Sequence, residues 1–274
     1  MWEVMFWPLV ACLLLPWLLV YLGTHVIQRG IIFIDIAMAQ LASLGVCLAV
    51  LLHLDLESPL TLAIALGFTL VGAAIFSFTG KRESPVPQEA MIGIAYVVSA
   101  AAAVLLLSRA AEGDEQIKNM LVGNLLLVSP GEIGIAALLF ALVGAIHVLF
   151  RRPLLRASFD REQAFADGVR VQGWDFLFYA TFGLVITGIV MIAGVLLVFT
   201  FLIVPAACGV YLRQSFIGRL VAGWLIAIGG SVLGLFLSFW LDVPSGAAIV
   251  CTFGGLLLLV VLGVSFRRPR QAGP

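Results

Sequence analysis

Apolar residues dominate this chain in runs of about twenty, and short polar stretches separate one run from the next. A helix needs about 20 apolar residues to cross the hydrocarbon core of a bilayer. The pattern therefore predicts an all-α fold, a polytopic membrane helix bundle with about nine transmembrane helices in a single domain over residues 1–274. The expected spans are about 4–22, 31–52, 58–79, 90–107, 132–150, 174–190, 194–211, 217–240 and 245–266.

Three local patterns refine this picture. The run from Phe176 to Tyr211 is almost unbroken, and Gly188 or Gly194 is the expected place for a turn within it. Residues 120–128 are apolar but too short to span, which favours a re-entrant or interfacial segment. The GxxxG pair Gly230 and Gly234 favours close helix packing and is compatible with dimerisation.

Composition agrees with a membrane protein. The chain is 62% hydrophobic and 11% charged, with a mean hydropathy of +1.16, whereas soluble domains are about a quarter charged. The formal net charge is zero, so electrostatics indicates no nucleic-acid partner. The four cysteines lie in apolar runs without CxxC spacing, and we expect them to be small buried residues.

Basic residues are distributed unequally between the two sides of the predicted bundle. With residues 151–173 placed in the cytoplasm, thirteen of the fifteen Lys and Arg residues fall on that side, and only Arg109 and Lys118 fall on the other. The positive-inside rule then predicts an N-terminus outside and a C-terminus in the cytoplasm. The outer face collects acidic residues, which suit either a cation-delivering partner protein or ordinary solvated loops: Asp55, Glu57, Glu112, Asp114, Glu115 and Asp242.

Motifs of catalysis are missing from the sequence. It contains no GxxxxGK[ST] loop for ATP and no HExxH or GxSxG motif, so the chain is not predicted to be an enzyme. The histidines His25, His53 and His147 each lie near a predicted span end. An interfacial or hydrogen-bonded role is more common for such residues than a role as a ligand.

Four residues in the predicted spans are candidates for a translocation pathway. Ionisable groups in membrane helices are usually functional, and Asp35, about one turn into the second span, either lines a polar path or pairs with Arg29. Gln40 and Ser43 are three residues apart and share a helix face, which Asp35 does not share well. Pro205 lies deep in the seventh span, where proline frees a backbone carbonyl and kinks the helix.

The segment 151–173 is the one polar, mixed-charge stretch of helical length in the chain. It is predicted to form a short amphipathic helix that Ser158 or Asp160 caps, with Glu162 in the first turn and a glycine at the end. The residues alone leave two interpretations open. One is a helix that inserts into a groove on a soluble partner, and the other is a loop that lies on lipid headgroups.

Six segments, in order along nearly the whole chain, resemble the permease subunits of the ABC transporters for zinc, manganese and iron. The most specific of them contain LIVPAA and SFDREQAFADGV. The full set is FIDIAMAQLASLGV (33–46), EAMIGIAY (89–96), LVGNLLLVSPGEI (121–133), SFDREQAFADGV (158–169), AGVLLVFTFLIVPAA (193–207) and LDVPSGAAIV (241–250).

The resemblance implies a permease in a bacterial plasma membrane that binds no cofactor and carries a divalent metal ion as its substrate. It also implies a homodimer with the pathway between two copies, ATPase subunits on the cytoplasmic face and an extracytoplasmic metal-binding protein. The SFDREQAFADGV block would be the coupling helix that transmits ATP-driven motion to the spans. Its functional positions would be Ser158, Phe159, Asp160, Glu162, Ala164 and Gly168.

The second span departs from the family pattern. Zinc-type permeases read F-x-G-D-A-x-x-H there, whereas here Gln40 stands at the histidine position, Ile36 at the aspartate position and Asp35 at the glycine position. Imidazole suits zinc, and an amide oxygen is a harder and weaker ligand. The sequence therefore leaves the metal and its ligands open.

Three alternative functions are weighed against this one. They are an ABC permease for a metal chelate or cofactor, an ATP-independent secondary carrier, and a purely structural membrane subunit. A secondary carrier often shows an inverted repeat, and no convincing repeat is found in the sequence. The intramembrane Asp35 and the long polar insert make a purely structural role less favoured.

Overall fold

The computed structural model describes residues 2–55, 58–80, 85–108, 125 and 128–267, which contain helices and no strand. Nine of the helices in these ranges are long and apolar enough to span a membrane. The prediction of an all-α polytopic bundle is confirmed. The helices are α1 (Trp2–Arg29), α2 (Ile34–Leu51), α3 (Pro59–Thr79), α4 (Gln88–Leu107), α5 (Pro130–Leu149), α6 (Arg151–Phe159), α7 (Arg161–Ala166), α8 (Val171–Ala193), α9 (Val195–Leu212), α10 (Phe216–Leu241) and α11 (Ser245–Arg267).

Helix bounds follow the apolar runs closely except at α1, which continues past Leu22 to Arg29. Thr24, His25 and the side chain of Arg29 in this extension are buried inside the protein, and Thr24 Oγ1 donates to the Val20 carbonyl at 2.9 Å. Between α8 and α9 the turn lies at Gly194, which has a φ of 78°. Glycine adopts this left-handed conformation without a Cβ clash.

Serine residues cap the N-termini of three of the spans. Ser58 Oγ accepts from the backbone N–H groups of residues 60 and 61 at the start of α3. Ser129 and Glu132 form a reciprocal capping box at the start of α5. Ser215 Oγ accepts from Gly218 N at 3.2 Å at the start of α10. Each cap satisfies donors that the first turn of a helix leaves unpaired.

The spans pack in two groups of four. One group contains α2, α3, α4 and α8, and the other contains α1, α9, α10 and α11. Helix α5 lies against both α1 and α8 and helps to join the groups. Large side chains fill the interior, among them the fully buried Leu19, Phe178, Phe182 and Phe201.

All arginines in the described ranges lie at one end of the bundle. This end, called the basic end below, is where α1 ends, α2 begins and α6 and α7 lie. Contacts between distant parts of the chain establish that these segments are neighbours: Arg219 Nη1 donates to Gln28 Oε1 at 3.4 Å, and Phe33 N donates to Glu89 Oε1 at 3.1 Å. The predicted segregation of basic residues is therefore present in the fold.

The segment 151–173 contains two short helices, where the prediction has a single short helix that begins at Ser158 or Asp160. Helix α6 ends at Phe159, Asp160 breaks the chain direction with φ −127° and ψ 46°, and α7 follows for six residues. Asp160 occupies the N-cap position of α7 but makes no side-chain capping bond. The hydroxyl of Ser158 does not cap α7 either, because it is buried and bonded to residues of α1. Gly168, with a φ of 72°, follows α7.

Two further expectations are resolved differently. Cys12, Cys47 and Cys208 are buried, but Cys251 is exposed because little of α11 is covered by the rest of the protein. The possible re-entrant segment 120–128 lies outside the described residues except for Leu125 and Val128.

The GxxxG pair packs α10 against α11 within one protomer. A Cβ atom at Gly234 would lie 2.6 Å from Ile249 Cα, and one at Gly230 would lie 2.8 Å from side-chain atoms of Phe253 and Leu256. Backbones that approach so closely leave no room for a side chain. The motif therefore explains a contact inside the chain.

We expect Gly234→Leu to destabilise the protein by about 1–3 kcal/mol, because the new side chain must displace the backbone of α11. The matched control is Gly229→Leu on the same helix, where a Cβ would meet no atom within 4 Å. The measurement is the melting temperature of each variant in detergent. Equal melting temperatures for the two variants would contradict the packing described here.

Candidate functional site: a buried ionic junction at the basic end

Asp175, near the start of α8, is the centre of a group of charged side chains in which Arg29 is buried and Arg161 is 27% exposed. Its carboxylate is 0% exposed and accepts from Arg29 Nη1 at 2.5 Å. It also accepts from Arg161, whose Nη2 lies 2.7 Å from Oδ2 and whose Nη1 lies 3.2 Å from Oδ1. We call these three residues the Asp175 junction. Because they belong to α1, α7 and α8, the junction joins three helices through one carboxylate.

The Arg29 side of the junction also fixes α6. Arg29 Nε donates to Ser158 Oγ at 2.8 Å, and the same oxygen lies 2.8 Å from His25 Nδ1. The guanidinium carbon of Arg29 is 4.2 Å from the centre of the Phe178 ring, a cation–π arrangement. Arg29 is thus paired with Asp175, and the predicted alternative of an Arg29 pair with Asp35 is wrong.

The Arg161 side of the junction reaches α3 and α4. Arg161 Nη2 donates to the carbonyl oxygen of Gly80, the residue after α3, at 2.6 Å. Close by, Gln88 Nε2 donates to the Phe76 carbonyl at 2.8 Å and lies 2.9 Å from Tyr179 Oη. The first residue of α7 is therefore attached directly to α8 and to the residue after α3, and Gln88 ties α4 to α3 and α8 close by.

The histidines near this end take part in hydrogen bonds. His147 is 3% exposed, with Nδ1 3.2 Å from Tyr21 Oη and Nε2 2.9 Å from Thr181 Oγ1. Together with the His25 contact to Ser158, this confirms the hydrogen-bonded interpretation for two of the three histidines. His53 lies in the turn after α2 with a φ of 59°.

The six residues that the family resemblance singled out divide into two sets by exposure. Ser158 and Ala164 are 5% and 1% exposed and face the bundle, and Phe159 is half-buried. Asp160, Glu162 and Gly168 are exposed. Only the exposed set is available to another protein, whereas the buried set holds α6 and α7 in place.

A polar cleft of about 470 Å³ lies between the end of α1 and the break at Asp160. Besides residues of the junction, its lining includes Gln28, Asp160, Glu162 and Gln163. The cleft therefore opens beside the exposed residues of α7, with both acidic and basic groups at its walls.

The four candidate pathway residues lie in two different environments. Gln40 and Ser43 are half-buried on one face of α2, and Ser43 interacts with the Cys47 thiol. Near this face, Phe33 stacks on Phe199 of α9 with ring centres 6.4 Å apart. The structure therefore brings Gln40 and Ser43 together on a face that the rest of the protomer covers only partly.

Asp35 and Pro205 lie in the interior of the protomer. Asp35 is 2% exposed, and its Oδ1 atom has no hydrogen-bond partner among the described residues. Pro205 is buried within a continuous α9, where its carbonyl oxygen would lie 3.1 Å from a Cβ at Gly223. Within the described ranges, no three His, Cys, Asp or Glu side chains converge on a point that would suit a metal ion.

Sequence reasoning missed Asp175, the central residue of the junction. The signal was present, since a carboxylate within a predicted apolar span is usually functional. Asp175 lies one residue beyond the start of the predicted span 174–190, and it is not among the residues singled out from the sequence. Its burial became visible only with the packing of α1 and α7 around it.

Comparisons with known proteins give a consistent result over the whole chain. The model of the ABC 3 transport family matches residues 1–264. The manganese import system permease protein ScaB of Streptococcus gordonii is 28% identical over 249 residues, which cover 91% of this chain and 86% of that protein. The manganese transport system membrane protein MntC of Halalkalibacterium halodurans is 25% identical over 268 residues, covering 96% and 87%.

A solved structure resembles the fold closely. PsaBC from Streptococcus pneumoniae, determined in complex with Fab, superposes with a TM-score of 0.78 at 26% sequence identity. The superposition covers 98% of this chain and 93% of the matched chain. The sequence and structural similarities thus extend over all nine spans of the described ranges.

Proposed function

This chain belongs to the ABC 3 transport family, and on that premise we propose that it is the membrane permease of an ATP-driven importer of a divalent metal ion. The observation that carries the proposal is similarity over nearly the full length to permeases named for manganese transport. A multi-pass position in the bacterial plasma membrane agrees with the nine apolar helices.

Manganese is the metal that we propose first. The two relatives described above are named for manganese import or transport. The chain itself agrees with that choice, because Gln40 replaces the imidazole that zinc-type permeases place at this position of the second span. Oxygen ligands suit Mn²⁺, whereas imidazole and thiolate favour zinc.

The pathway in this proposal lies between two copies of the chain. Gln40 is a polar side chain on a half-buried face of a membrane helix, where contact with lipid alone is unfavourable. A second copy facing α2 would cover it and place two sets of Gln40 and Ser43 across a common axis. Asp35 is buried in α2 and Pro205 in α9, and both would shape the helices that line the path.

The drive in this proposal comes from ATPase subunits that dock at the basic end, which the positive-inside rule assigns to the cytoplasm. The exposed residues Asp160, Glu162 and Gly168 form the proposed docking surface. A metal-binding protein would dock at the opposite end, where Asp55 and Asp242 lie. ATP-driven closure of the ATPase pair would then shift the bundle between outward-open and inward-open states.

The experiment uses vesicles in which the ATPase faces the lumen and the binding protein is outside. We expect these vesicles to accumulate Mn²⁺ only when the lumen contains ATP. Radioactive Mn²⁺ uptake is the measurement, and excess Zn²⁺, Fe²⁺ or a metal chelate is the competitor. Uptake that is driven by an ion gradient without ATP would support a secondary carrier instead. Preference for the chelate over the free ion would support a chelate permease.

Gln40→Leu should lower the maximal rate of uptake about tenfold or more, because one carbonyl ligand per copy is lost from the proposed path. Gln40→Glu should retain transport because it keeps an oxygen ligand. Ser265→Ala, at an exposed position of α11, is the control. Uptake by Gln40→Leu that equals uptake by the control would remove α2 from the proposed pathway.

Glu162→Arg should weaken association with the ATPase subunits, because it reverses the charge at an exposed position of the docking surface. Gly168→Val should act in the same direction, since a β-branched residue is strained at a φ of 72° and would displace the end of the segment. Co-purification of the ATPase and metal uptake are measured together. Normal ATPase co-purification and normal metal uptake in the two variants would exclude a docking role for Glu162 and Gly168.

A further inference from the structure

The docking surface needs a stiff connection to the spans, and its apolar contacts alone do not fix an orientation. Helix α7 has six residues, of which Ala164 is the buried one. Ala164 packs with the buried Ala157 and Val171, and the partly buried Phe165, Val169 and Trp174 pack against these three residues. Apolar burial contributes about 25 cal/mol per Å² and is not directional. These contacts alone would let α7 tilt against the bundle.

The directional connection is the Asp175 junction. Arg161 is the first residue of α7, and its guanidinium binds both oxygens of Asp175 in a forked arrangement. The same guanidinium donates to the Gly80 carbonyl after α3. Forked Arg–carboxylate pairs fix orientation as well as distance. A rotation of α7 therefore acts directly on α8 and on the end of α3.

The junction also passes this motion to α1, because Arg29 and Arg161 share one carboxylate. Arg29 and Asp175 side chains are 1% and 0% exposed, so no bulk water can replace either partner. One nitrogen of each of two neighbours, Arg29 Nη2 and His25 Nε2, is buried without a hydrogen-bond partner among the described residues. In the proposal that follows, Arg29 Nη2 is the donor that a second pairing arrangement would use when α7 moves. Two discrete arrangements are what a transmitting element requires.

We propose that Arg161 and Asp175 are positioning residues that transmit motion of the docked α7 to α1, α3 and α8. The proposal rests on the function proposed above and adds the residues through which ATP hydrolysis is coupled to transport. Buried ion pairs add little net stability relative to apolar packing. Their place here, between the smallest helix and three spans, therefore fits a role in orientation better than a role in stability.

The test compares Arg161→Ala with Arg156→Ala in complexes reconstituted with the ATPase subunits. Arg156 is the matched control, because its pair with Asp167 is exposed and 3.9 Å long. Both variants should retain the ATPase, since Asp160, Glu162 and Gly168 are unchanged. We expect Mn²⁺ transported per ATP hydrolysed to fall about tenfold in Arg161→Ala and to remain unchanged in Arg156→Ala.

Two further variants keep the test independent of folding. Arg161→Lys retains the charge but loses the forked geometry, and Asp175→Asn retains the shape of the carboxylate. Both should lower the Mn²⁺ transported per ATP. The double variant that combines Arg161→Lys with Asp175→Asn should transport as much per ATP as the poorer single variant, because the two residues act through one contact. Size-exclusion profiles establish that each complex is assembled.

Three results would overturn the inference: unchanged transport per ATP in all assembled junction variants, additive losses in the double variant, or loss of the ATPase from Arg161→Ala. The third would place Arg161 in the docking surface itself. The proposed function fails separately, if the unaltered complex shows no ATP-driven uptake. Normal uptake with unaltered stoichiometry in the variants would contradict the junction alone.

Discussion

The arrangement of the basic end depends on one constraint, that a buried carboxylate must be matched by buried cations. Asp175 is fully covered and Arg29 nearly so, and removing one partner of such a pair costs about 3–5 kcal/mol because the other is left charged in an apolar interior. Helices α1 and α8 must therefore pack with Arg29 and Asp175 at the same level along the bundle. Helix α7 must lie where Arg161 reaches the Asp175 carboxylate. Ser158 and Gly80, which bond to the two guanidinium groups, then fix α6 and the end of α3.

Farther from this end, the bundle is held by backbone contact in place of charge. Helix α9 is central to its group, and Gly23 of α1 and Gly223 of α10 lie directly against its carbonyl oxygens of Leu202 and Pro205. Gly45 brings α2 against Ala65 of α3 in the other group. Where lipid replaces water, apolar residues gain little by leaving it, so close approach at small residues decides which helices touch. The two groups are consequently tight inside, and the junction and α5 connect them.

The sequence predicts the part of this structure that is determined locally. Within the described ranges, apolar length marks the nine spans, a turn with positive φ falls at one of the two glycines expected, and the arginines all lie at one end. Features that depend on tertiary contact are less accessible. From the sequence, Asp175 is only a polar residue near the start of a span, and its burial depends on the packing of α1 and α7. Ser158 is predicted to cap a helix, whereas in the fold its hydroxyl accepts from Arg29. Likewise the GxxxG pair suits a dimer as well as a neighbour in the same chain, and the fold places it against α11.

The two candidate regions lie at different places in the bundle, the Asp175 junction for the proposed coupling to ATP hydrolysis and the Gln40 face for the proposed choice of metal. The junction belongs to helix ends that lie at the basic end, whereas Gln40 and Ser43 lie at least a turn farther along α2. Helix α2 has no side chain in the junction, yet it packs against α3 and α8, both of which the junction holds. Motion of α7 would thus reach the Gln40 face through the packing of rigid helices and not through a continuous chain of hydrogen bonds. In the proposed function, a change at residue 40 would alter the ligand type offered to a metal without altering the contacts of Asp175.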